Sequence, residues 1–252
     1  MFPHESCRFQ RQPQEKRPSR SSHGASGKIV RRLSFVARTQ EVIARAIGRI
    51  QRPRAQPRPT REEIHALPAF DALGLEDVVE VDSAEAAAQA SAELSREPVV
   101  GFDTESQPTF VKGQVSRGPH VVQFAARRRT YVFMLHDAHC RRAACELIGS
   151  SALLKVGFGL DQDRRLIALR LKVQPQALVD LETLFARRGY GRGVGVKAAV
   201  AIVFKRRFSK SKSASTSNWA RRRLSPKQLL YAANDAYAAL RVYHALQTEW
   251  TE

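Results

Sequence analysis

The chain is 252 residues long and 43% hydrophobic, enough to build one full core with tails to spare. No run approaches the roughly 18 apolar residues of a membrane span, and the N-terminus MFPHESCRFQRQPQEKRPSR lacks the apolar block of a secretory signal. No membrane partner and an intracellular, cytoplasmic location are therefore expected, with nucleoid association compatible, and the formal charge of +18 is the one compositional extreme.

That charge sits in two places. Up to Arg58 there are fourteen Lys/Arg against Glu5, Glu15 and Glu41, in a stretch rich in Pro, Ser and Gln; it reads as a basic, disordered extension over residues 1–58. Its one periodic segment, EVIARAIGRI, is compatible with a short basic amphipathic helix. A transit peptide, a nucleic-acid-binding arm or an upstream start of the reading frame would each explain the composition. Between Arg187 and Lys227 there are thirteen Lys/Arg and no acidic residue, inside chain that otherwise reads as folded. Like charges collected on one part of a fold repel, so a nucleic-acid backbone is the natural partner, with a solvated basic face as the alternative.

From PTREEIHAL onward the pattern becomes globular, giving a domain over residues 59–252. Thr60 and Glu63 have the spacing of a capping box. SAEAAAQASAEL reads as helix and EPVVGFDTES as a buried strand, while HVVQFAA and TYVFML read as a hairpin. AACELIGS is helical, ALLKVGFG a strand, DQDRRLIALRLKV a helix, and QALVDLETLF begins as a strand. VGVKAAVAIVF forms another helix, SKSKSASTSN a loop, and a long terminal helix starts at Ser225, with Pro226 at its first position and Gln228 completing a cap. Three strands followed by strand–helix alternation imply an α/β fold with a mixed sheet flanked by helices.

Asp103 and Glu105 stand two apart on the first of these strands, so both side chains leave on one face. An acidic pair ending an apolar strand is costly to desolvate unless cations neutralise it; taken alone, the same pattern also fits an exposed edge. KVGFGLDQD adds Asp161 and Asp163 where a strand meets a helix, with Gly157 and Gly159 permitting close backbone approach. One of these two acids is accounted for by the helix dipole alone. Tyr231 and Asp235 fall one turn apart on one face of the terminal helix. Four acids from three elements suit two divalent cations, Mg²⁺ or Mn²⁺, which take oxygen ligands and together serve phosphodiester hydrolysis.

The segments VVGFDTES, LKVGFGLDQD and LSPKQLLYAANDAYAALRVY resemble the three motifs of the DEDD-superfamily exonucleases, in the subgroup with tyrosine in the third motif. The nearest likeness is to Werner-type and ribonuclease D-like exonuclease domains, in a bacterial single-domain form. The resemblance covers positions 60–250 approximately and implies a ribonuclease H-like fold and a 3′-to-5′ exonuclease acting on DNA or RNA with a free 3′ end. It implies Asp103, Glu105, Asp163 and Asp235 as metal ligands and Tyr231 as the residue orienting the water; Asp163, rather than Asp161, matches the motif. Three alternatives compete: a ribonuclease D-like enzyme of RNA 3′-end processing, a non-cleaving binding module on the same fold, and a ribonuclease H-type endonuclease. The chain leaves little room for a helical RNA-binding domain, the complete acid set disfavours the module, and Tyr231 one turn before Asp235 resembles the exonuclease branch.

The basic block then becomes the flank that holds the substrate. Lys197, Lys205, Arg206, Arg207, Lys210, Lys212, Arg221, Arg222 and Arg223 are the candidate nucleic-acid contacts. Tyr190, Phe204, Phe208 and Trp219 are interleaved with them and read primarily as core aromatics, with stacking on bases as the alternative, and Trp219 is expected against the third-motif helix. The glycines of RGYGRGVGVK lack the G-K-[ST] ending of a phosphate loop. His136, His139, Cys140 and Cys145 have no common zinc spacing, and Cys7, Cys140 and Cys145 read as reduced thiols.

Overall fold

The computed structural model describes residues 54–109 and 116–249. The extension up to residue 53 and its EVIARAIGRI segment lie outside the described residues, as does Cys7. Helix α1 (Arg61–Ala66) carries the expected capping box, with Thr60 N–H donating to Glu63 at 2.7 Å. A 3₁₀ turn, Leu75–Asp77, leads into β1 (Val78–Val81), a strand that the sequence pattern did not disclose. Then follow α2 (Ala84–Leu94), β2 (Val99–Glu105), β3 (Val121–Ala125), β4 (Thr130–Met134) and α3 (Ala138–Gly149). Next come β5 (Leu154–Gly157), α4 (Asp161–Leu166) with a π-helical turn Ile167–Leu171, and β6 (Leu178–Asp180). The last part holds α5 (Leu181–Phe185) with a π-helical turn Ala186–Tyr190, α6 (Val196–Phe204), α7 (Lys212–Ser215) and α8 (Pro226–Glu249).

The six strands form one mixed sheet in the order β1-β4-β3-β2-β5-β6. β3 runs antiparallel to β2 and β4, whereas β1 pairs parallel with β4, and β5 lies parallel to both β2 and β6. Helices cover both faces, as the fold class expected. The period of two along β2 sorts its side chains: Val99 joins the core beneath α6 and α8, while Val100 and Phe102 join the core beneath α2 and α3. Several local readings shift. Helix α3 starts at Ala138, where Asp137 accepts from the N–H groups of His139 and Cys140 at 2.8 and 2.9 Å. The Ser/Lys loop contains α7, capped by Ser211. Residues 54–58, assigned to the extension, bind the domain, with Gln56 N–H donating to the Gly189 carbonyl at 3.0 Å.

The long helix α8 begins as its cap signal requires, Gln228 N–H donating to Ser225 Oγ at 3.3 Å and Ser225 N–H to Gln228 Oε1 at 3.1 Å. It crosses the centre of the sheet at a place where backbone meets backbone. A Cβ added at Gly101 on β2 would lie 1.9 Å from the Ala236 carbonyl oxygen of α8, so only glycine permits this approach. Gly101, Asp103 and Glu105 share one strand face, which turns both acids toward α8. Gly101→Ala is expected to force α8 off the sheet and lower stability by about 1–3 kcal/mol in urea unfolding; an unchanged midpoint would mean that the helix is not seated through this contact.

Candidate metal centre and active site

The close approach at Gly101 brings the acids of β2 to the acid of α8. Among the described residues, Asp103, Glu105 and Asp235 offer carboxylate oxygens that all lie within 4.8 Å of one another. Asp235 is 6% exposed, and its Oδ1 is buried with no hydrogen-bond partner. Such a cluster is under strain from both desolvation and repulsion. Burial, then Asp235 and Asp163, push the Asp103 carboxyl well up; burial, then Asp103 and Asp235, push Glu105 up to about 10. Asp235 is raised by burial against the pull of Lys210 and Lys197.

Asp163 stands slightly apart. It sits in the first turn of α4, positioned by the bend after β5, where Gly159 adopts φ +66° and a Cβ at Gly157 would lie 2.3 Å from the Phe102 carbonyl oxygen. Asp180 holds that bend, accepting from Gly159 N–H at 3.1 Å and Leu160 N–H at 2.7 Å. Asp163 accepts a hydrogen bond from the hydroxyl of Thr104, the residue between Asp103 and Glu105. Thr104 points to the other face of β2, which is why Asp163 lies near Asp103 yet outside the group of three. Asp161 is exposed and Asp163 partly buried, so the geometry favours Asp163 of the two.

Tyr231 lies one turn before Asp235, its ring packed 5.9 Å from the buried ring of Trp219. Burial and then Asp235 push its hydroxyl up to about 12, so it remains protonated and available as a donor. Lys210, expected on the nucleic-acid flank, is drawn inward: its ammonium is 2.6 Å from Asp235 Oδ2 and 5.3 Å from the centre of the Tyr231 ring. It supplies positive charge that the acids otherwise lack. Arg207 is likewise engaged within the protein, donating to the His65 carbonyl at 2.7 Å. Lys197, Lys205, Arg206, Lys212 and Arg221 to Arg223 are exposed around α6, α7 and the start of α8. Phe208 and Trp219 are buried, while Phe204 and Tyr190 pack partly buried against the core. Cys140 is buried on α3, with its thiol at 3.5 Å from the Ser83 carbonyl.

Two residues escaped the sequence reading. Gln123 stands directly across from Asp103 in the β2–β3 register, wholly buried, with neither side-chain polar atom hydrogen-bonded. Only strand pairing reveals it, because nothing in HVVQFAA ties it to the acids. Asn234, beside Asp235, accepts from Leu73 N–H at 2.8 Å and donates to the Leu73 carbonyl at 3.3 Å, tying the loop before β1 to α8.

The donor chemistry fits divalent cations: hard carboxylate oxygens, crowded, desolvated and short of positive charge. Comparison with known proteins places the chain in a family. The family model described as 3′-5′ exonuclease matches residues 78–251. The chain is 28% identical over 158 residues to the bifunctional 3′-5′ exonuclease/ATP-dependent helicase WRN of Mus musculus, covering 62% of this chain and 11% of that protein. It is 30% identical over 151 residues to a 3′-5′ exonuclease of Arabidopsis thaliana, covering 59% of this chain and 52% of that one. In three dimensions it is similar to the Nibbler EXO domain of Aedes aegypti, with TM-score 0.61 and 22% identity, over 73% of this chain and 92% of that domain. The family match spans well over half of the sequence and includes the β2 acids, Asp163 and the Tyr231–Asp235 helix: the chain belongs to the 3′-5′ exonuclease family.

Proposed function

We propose that this protein hydrolyses the phosphodiester bonds of DNA or RNA from a free 3′ end, using two divalent cations, Mg²⁺ or Mn²⁺. The observation that carries the reading is the meeting of Asp103, Glu105 and Asp235 within 4.8 Å beside Tyr231, in a chain of this family. Asp103, Glu105 and Asp235 would hold the cations, with Asp163 closing the set from α4. Bound there, they would make a water acidic and stabilise the leaving oxygen. Tyr231, protonated and one turn from Asp235, would orient such a water by hydrogen bonding rather than by taking its proton. Gln123 sits behind Asp103 with an amide free to brace it. A cavity of about 420 Å³ opens beside Asp235, lined by Phe70, Phe208, Lys210, Tyr231 and Asn234 among others. That volume lies within the range of pockets that hold a small ligand such as a nucleotide.

Incubating 5′-labelled DNA and RNA strands with Mg²⁺ or Mn²⁺ is expected to produce a ladder that shortens from the 3′ end and vanishes with chelator. Asp103→Ala is expected to abolish it with strand binding retained, and Tyr231→Phe to slow it by about 10²-fold or more. Full activity without Asp103 would sink the two-cation reading.

The raised carboxyls also set a pH dependence. Glu105 moves from 4.5 to about 10, so the folded metal-free protein keeps protons that the unfolded chain releases. Stability from this group is present below 4.5 and is lost as pH rises through about 10. With chelator the melting temperature is expected to fall across that window, and the gain on adding Mg²⁺ to grow with pH. A chelated melting temperature indifferent to pH would contradict the coupling of these acids.

Lys210→Met removes the positive charge at Asp235. It is expected to lower the melting temperature of the chelated protein and to tighten Mn²⁺ binding several-fold by calorimetry, since no ammonium then competes for the carboxylate. Unchanged Mn²⁺ affinity would place Lys210 outside the cation site.

A further inference from the structure

Positive charge converges at a second place, of which the sequence reading singled out only Arg221. Arg117 ahead of β3, Arg141 on α3, Arg170 on the π-helical turn after α4 and Arg221 ahead of α8 come from four separate parts of the chain. They line one cavity of about 230 Å³, together with His120 and Trp219, and no carboxylate is among its lining residues. Arg170 is held there by its own bond, Nε donating to the Ser116 carbonyl at 3.1 Å, one residue from Arg117. Three of these arginines, Arg117, Arg141 and Arg170, lie outside the basic block between residues 187 and 227.

The cavity adjoins the acid cluster through two direct links. His120 N–H donates to the Glu105 carbonyl at 2.9 Å, and Trp219 packs 5.9 Å from the Tyr231 ring. Four guanidinium groups around one hollow repel one another, and the cost is relieved by an anion with several oxygens; guanidinium forks match phosphate oxygens bidentately. On the reading of the acid cluster as an exonuclease centre, on which this inference rests, only one nucleotide lies beyond the scissile bond. All other phosphates of the strand lie on the opposite side. We infer that the arginine cavity binds backbone phosphates of the substrate strand, at nucleotides behind the one being removed.

The test is the Arg117→Ser/Arg141→Ser double variant, which alters two exposed side chains and none of the acids. Two substrates are compared with Mn²⁺: a labelled 12-nucleotide strand, and the p-nitrophenyl ester of thymidine 5′-monophosphate, which has one phosphodiester and no strand behind it. The strand KM is expected to rise about tenfold with kcat nearly unchanged, and the slope of log affinity against log salt to shrink by about two. Hydrolysis of the small ester is expected to stay at the parent rate, and Arg→Lys at both positions to recover part of the loss. Parental strand KM and salt slope in the variant would overturn the inference. So would an equal loss on the ester, which would place the cavity at the terminal nucleotide. Inorganic phosphate bound by the parent and lost in the variant, with strand binding intact, would assign the cavity to a free anion and likewise overturn it. If the parent cleaves neither substrate, the exonuclease reading fails by itself, and strand binding in chelator still decides whether the arginines hold phosphates.

Discussion

Three carboxylates held within 4.8 Å of one another, in a place largely closed to water, are the arrangement around which the rest of this molecule is organised. Left alone they would drive apart or take up protons, and the raised carboxyls of Asp103, Glu105 and Asp235 express that tension. The fold resists it by rigidity. β2 is central in the sheet, flanked by β3 and β5, and α8 lies against it at the distance that only Gly101 allows. β2 contributes to the cores on both faces of the sheet, and α8 to the core on the face that carries the acids, so neither can shift without disturbing buried packing.

The same geometry explains why the charges around the acids fall into two kinds. Lys210 is inside the cluster, paired with Asp235 and lying over Tyr231, and belongs to the electrostatics of the carboxylates. Lys197, Lys205, Arg206, Lys212 and Arg221 to Arg223 remain at the surface, where a polyanion can reach them. A single run of basic sequence thus places one cation among the acids and leaves others at the surface, and the difference between them is depth. The arginine cavity beside His120 adds a third set, gathered from segments that lie far apart along the chain.

Much of the site was legible beforehand because its signals are local. The period of two places Asp103 and Glu105 on one face, and the Ser225–Gln228 cap phases α8 so that Tyr231 and Asp235 align. Both patterns survive into the structure, since each depends on backbone geometry within a few residues. The strand β1 was missed because VVEV is short and gains its hydrogen bonds from β4, some fifty residues on. The role of Gly101 was equally hidden, for a glycine in a strand does not say which backbone will approach it.

The sequence by itself determined the fold class, the three acid-bearing segments and the excess of positive charge, because these follow from periodicity, caps and composition. Tertiary structure alone decided that Asp163 reaches Thr104, that Gln123 stands behind Asp103, that Lys210 turns inward and that four scattered arginines share one cavity. Those outcomes rest on strand order and on how closely one helix can lie against one sheet, and such distances exist only once remote parts of the chain have packed together.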